Sequence, residues 1–148
     1  MILDSQNLFS DAQAFTATAA STNIIDTRNT NRHGAGEALT AVVTIDVAAD
    51  NTTTDEAYTF ALQSSADAAF TTPITHTSKV AAAGSGAVTF SAGSRHFLPV
   101  PQDASVLRYL RVYATLAGTT PTVTATAFLQ PSSMLQNEAY YPKGYTIS

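Results

Sequence analysis

A chain of 148 residues has the size of one domain and can bury about two-thirds of the surface that its unfolded form exposes. Charged residues make up only 12% and the net charge is −4, so there is no electrostatic footprint for nucleic acid or an anionic membrane. Cysteine is absent, which excludes a disulfide framework, thiolate catalysis and cysteine zinc sites, and 26 Ala with 23 Thr leave a small, hydroxylated, mostly neutral surface.

Residues 1–10 (MILDSQNLFS) carry Asp4 where a targeting signal places Lys or Arg, and they lack an apolar core, so synthesis in the cytoplasm is expected. Period-2 alternation rich in Thr, Val, Tyr and Phe then recurs along the chain, the pattern of strands with one buried face. It predicts eight strands, at residues 8–16, 22–26, 39–49, 58–65, 74–82, 87–92, 108–117 and 122–130. Tyr58, Phe60 and Leu62 share one face, as do Leu110, Val112, Ala114 and Leu116, with Arg108 at the wet end of that row. The most apolar run, residues 39–49, is broken by Thr40, Thr44 and Asp46 and is far shorter than the roughly 20 residues that cross a bilayer.

Turn signals separate the runs: His33-Gly34-Ala35-Gly36, residues 50–55, Ala83-Gly84-Ser85-Gly86 and residues 117–121. Residues 94–105 hold Pro99 and Pro101, which cannot sit in a central strand, and read as a longer crossing connection. One helical turn is allowed at residues 65–70. The expectation is a single all-β domain over residues 1–148, an antiparallel β-sandwich of the eight-stranded jelly-roll kind, with residues 1–9 and 132–148 as terminal arms.

Chemistry-bearing patterns are weak. His33, His76 and His96 share no metal-type spacing, so they read as edge or exposed histidines, although Arg95 and His96 could form a polar contact patch. Asp46, Asp50, Asp55 and Glu56 lack the alternating ligands and central glycine of a calcium loop and read as a solvated hairpin end. No nucleophile elbow and no phosphate loop is present. Neither an enzyme activity nor a cofactor is expected. The apolar and aromatic ends are the candidate contact residues: Ile2, Leu3, Leu8 and Phe9 at one end, and Tyr140, Tyr141, Pro142 and Tyr145 at the other.

The opening MILDSQNLFSDAQAFTATAASTNIIDT, the segment SVLRYLRVYATLAG at residues 105–118, and the terminal YPKGYT resemble the capsid cement, or decoration, proteins of tailed bacteriophages. The resemblance implies a β-sandwich that docks on the outside of an assembled capsid and ties neighbouring major capsid subunits together. It implies virion localisation, the major capsid protein as partner, and a homo-oligomer, dimer or trimer, with no nucleic acid or membrane bound. The competing expectation is a carbohydrate- or host-binding module of a virion fibre, because lectins use the same folds.

Overall fold

A computed structural model describes residues 4–28, 37–103 and 105–137. Nine strands form two antiparallel sheets: β1 (Leu8–Phe15), β2 (Ala19–Ala20), β3 (Ile25–Asp26), β4 (Leu39–Val47), β5 (Ala57–Ser65), β6 (Ile74–Ala81), β7 (Arg95–Pro99), β8 (Tyr109–Ala117) and β9 (Val123–Pro131). One sheet has the order β1-β9-β4-β7; in the other β8 pairs β5, β5 pairs β6, and both β2 and β3 lie along the far side of β8.

The pairing is nested. Taking β2 and β3 as one interrupted strand, first pairs last (β1 with β9), second pairs seventh (β2 and β3 with β8), third pairs sixth (β4 with β7) and fourth pairs fifth (β5 with β6). A long hairpin wound into two layers gives this order, which is the eight-stranded jelly roll. The ninth strand arises from the interruption, where Ser21 N donates to Val112 O and Asn23 N to Phe9 O, so the chain leaves β8 and reaches across to β1.

The inner faces are those that alternation predicts. Tyr58, Phe60 and Leu62 of β5 meet Leu110, Val112 and Ala114 of β8, and across the sandwich lie Ala41, Val43, Ile45, Ala125, Ala127 and Leu129. Phe15, Phe60, Phe90 and Tyr58 form an edge-to-face chain with centroid spacings of 5.7, 5.2 and 6.5 Å, a favoured aromatic geometry. Tyr58 also ties the sandwich end together: its hydroxyl donates to Asp50 O at 2.7 Å and accepts from Thr122 N at 3.3 Å.

Three expectations are corrected here. Residues 87–92 form no strand; Gly86–Thr89 make one helical turn, α1, and Phe90 drops into the core while Val88 stays 83% exposed. Gly86 permits this, since a Cβ there would lie 2.6 Å from the Tyr58 ring. Conversely, residues 95–99 are not a connection but β7, an edge strand that ends at Pro99, where a missing N–H costs no ladder bond. Of residues 65–70, Ser65 ends β5 and residues 66–69 form a turn and not a helix.

Candidate interaction surface

Because Leu110, Val112 and Ala114 fill the core, the alternate residues Tyr109, Arg111 and Tyr113 of β8 point out from the five-stranded sheet, each half-buried. The Arg111 guanidinium carbon lies 4.2 Å from the Phe70 ring centroid and 4.8 Å from that of Tyr113, within cation–π range of both. Arg111 Nε donates to Gln63 Oε1 at 2.9 Å, and Gln63 Nε2 donates to Thr75 Oγ1 at 3.1 Å, so three strands fix the side chain. Burial pushes its pKa below the ordinary value while Tyr113 acts in the opposite direction; an arginine so placed stays charged.

Phe70 reaches Arg111 from the turn after β5. Its φ of +53° is unusual for a bulky residue, and the turn that imposes it is organised by Asp67. Asp67 Oδ1 accepts from Ala69 N at 2.9 Å and from Thr71 N and Oγ1 at 3.3 and 3.2 Å, and Oδ2 accepts from Ser65 Oγ at 3.1 Å. Burial opposes ionisation of Asp67, but these donors outweigh it and hold the carboxyl below its usual range.

Arg108, three residues from Arg111, is handled differently. Its Nε and Nη2 donate to the two carboxylate oxygens of Asp26 at 2.7 and 2.8 Å, and it stands 5.0 Å from the Tyr109 centroid. The bidentate bonds hold the Asp26 carboxyl down at about 2.

The outer face of the four-stranded sheet carries an apolar row in register across all four strands, Leu8, Phe128, Val42 and Phe97. Val42 and Phe128 are buried, Leu8 is half-buried and Phe97 is 49% exposed.

Of the contact residues expected from sequence, Ile2, Leu3, Tyr140, Tyr141, Pro142 and Tyr145 lie outside the described residues. Leu8 belongs to the apolar row, whereas Phe9 has no exposed area and packs the chain's own core, so it offers no area to a partner on the folded chain. Arg95 and His96 do not make one patch. Strand alternation sends Arg95 to the outside, and it turns His96 inward against Phe90, 4.7 Å between centroids, with Nε2 3.0 Å from Ser94 Oγ. His76 Nε2 lies 2.7 Å from Ser64 Oγ, and burial lowers the pKa of both His76 and His96. His33 lies outside the described residues.

The acidic stretch is only partly a solvated end: Asp46 and Asp55 are exposed, Asp50 is half-buried and Glu56 is fully buried. Glu56 Oε1 takes the Thr53 hydroxyl and, at 3.1 Å, the Thr53 N–H, which holds the carboxyl below its usual range. Among the described residues no group of three or more His, Asp or Glu could hold a metal ion, and no helix is long and apolar enough to cross a membrane.

The surface residues missed in sequence are Tyr109, Arg111, Tyr113, Phe70 and Gln63. The first three were legible as the opposite phase of a recognised strand; the Phe70 stack, from 41 positions away, was not. Together these features define a jelly-roll sandwich with an aromatic–arginine surface on one sheet. The family model Bbp16 matches residues 9–130, from β1 to β9, and the chain belongs to the Bbp16 family. No curated protein matches it.

Proposed function

We propose that the chain is a structural virion protein that docks on the outside of an assembled bacteriophage capsid and cements neighbouring major capsid subunits. The observation that carries this reading beside the sequence resemblance is the fixed row Tyr109, Arg111 and Tyr113 on a rigid sheet. Tyr and Arg dominate the energetics of protein interfaces, and the scarcity of other charges lowers the cost of covering the surrounding area. A protein that binds the assembled shell better than free subunits stabilises the shell by its binding free energy, and many copies per particle multiply a modest contact. The major capsid protein is the partner in this reading, the protein acts as a dimer or trimer on the capsid exterior, and no enzyme activity is involved.

The test is co-sedimentation of the purified chain with assembled shells, together with the shell's thermal stability. Saturable binding with a raised disruption temperature supports the proposal; absence of binding removes it. One observation favours the second reading, a glycan-binding virion module: Tyr109 and Tyr113 flank the Gln63 amide, a combination that can stack on and hydrogen-bond to a sugar. Binding to a glycan panel without shell binding selects that reading.

A further inference from the structure

We propose that Arg111 is a preformed receptor for a carboxylate side chain of the partner protein, with Tyr109 and Tyr113 as its flanking contacts. This rests on the docking reading above and names the chemistry of its contact point. An arginine has five N–H donors, and Arg111 commits Nε to Gln63; among the described residues no acceptor meets its two Nη groups and no carboxylate pairs with it. Arg108 shows the alternative, because this chain supplies Asp26 as its bidentate partner.

Placing a half-buried guanidinium without a counter-charge is unfavourable on its own. Here the structure goes further and immobilises it, between the Phe70 and Tyr113 rings and on Gln63, with Phe70 held at a positive φ. Backbone strain of this kind persists where the surroundings over-determine it, and the result is a planar fork whose ordering cost is met before any ligand arrives. A planar fork with both Nη groups open matches a carboxylate, which accepts two parallel bonds. Charge complementarity therefore selects an Asp or Glu side chain as the occupant.

The first experiment uses the purified chain and follows arginine Nε–Hε signals by 15N NMR during titration with N-acetylglutamate, N-acetylglutamine and glucuronate. The expected result is a saturable shift of the Arg111 signal with N-acetylglutamate, a much smaller one with the neutral amide, and little change at Arg108. An Arg111 signal that responds no more than that of Arg108 overturns the receptor, and a stronger response to glucuronate than to N-acetylglutamate overturns the protein-carboxylate assignment in favour of a glycan.

The second experiment measures shell binding by Arg111→Lys and Arg111→Gln. Each should need at least about tenfold more protein for half-saturation, since lysine keeps the charge but not the fork. Undiminished binding by both variants removes Arg111 from the docking contact while leaving the capsid reading in place. A wild-type chain that ignores shells yet shows the Arg111 shift removes the capsid reading and leaves the receptor.

Discussion

The two sheets have like inner faces and unlike outer faces. Outside the four-stranded sheet, Leu8, Phe128, Val42 and Phe97 line up as hydrocarbon, and the two central members are buried. Outside the five-stranded sheet, β8 presents Tyr109, Arg111 and Tyr113; Arg111 is tied by stacking and a hydrogen bond to Phe70, Tyr113 and Gln63, and Arg108 just before the strand is paired with Asp26. The first face is held by area removed from water and should be indifferent to pH, whereas the second is held by directional and charge-assisted contacts and should answer to acid. Alternation alone predicts only that an outer face is polar; what these faces teach is that the outward phase of a strand is where two halves of one sandwich become different.

The strongest way to break this comparison is Phe128→Ala. If the apolar row contributes like core, the variant should lose about 3 kcal/mol in urea unfolding, a typical cost for truncating a buried phenylalanine. A loss below about 1 kcal/mol would show the row to be ordinary surface.

Phe70→Ala on the other face should cost less, about 1–2 kcal/mol, because Phe70 stands on a turn that can close over the gap, whereas Phe128 sits in a central strand that cannot. Its larger signature should be spectroscopic: the Arg111 Nε–Hε signal should move out of the ring-current-shifted region. A cost equal to that of Phe128→Ala would remove the distinction between the faces.

Acid sharpens the contrast. The Asp26 carboxyl titrates near 2 in the folded chain and at about 3.9 when unfolded, so its contribution is complete above about pH 4 and is lost as pH falls from there towards 2. The Asp26→Asn variant should therefore show a flatter dependence of melting temperature on pH in that window. Parallel curves for variant and wild type would mean that the Arg108 pair contributes nothing to folding.

The smallest effect belongs to the exposed end of the apolar row. Phe97→Ser should change stability by no more than about 0.5 kcal/mol, since Phe97 is 49% exposed at a sheet edge. A larger loss in dilute protein would show that Phe97 is covered in solution.

Most of the sandwich was legible because strand alternation is a short-range signal. Residues 58–65 and 108–117 form β5 and β8 with the expected faces, and the jelly roll follows from their neighbours. The failures have physical reasons. Val88 and Phe90 mimic a two-residue alternation, but flanking glycines with positive φ at Gly84 and Gly93 let the segment close into a turn and spend only Phe90 on the core. Pro99 argued against a strand because proline excludes central positions, yet nothing in sequence tells a central strand from the edge that β7 occupies. Ala19–Ala20 is too short to show a period. At the candidate surface, the Tyr-Arg-Tyr phase was readable from β8 alone, whereas the Phe70 stack and the Gln63 anchor depend on which strands become neighbours.

The interrupted second strand has a consequence for the chain in bulk. A sheet border that is long, flat and regular templates the addition of a strand from another copy, the first step toward fibres. Among the described residues there is no such border on the side of β8, where β2 and β3 are two residues each and the chain between them turns away to β1. The other borders are blunted as well: β1 shifts register twice, β7 ends in Pro99, and β6 sets Lys79 opposite core-facing Phe60. Among the described strands, copies crowded together at high concentration thus lack a template for edge-to-edge polymerisation, which leaves association to the sheet faces, where side chains rather than backbone decide the partner.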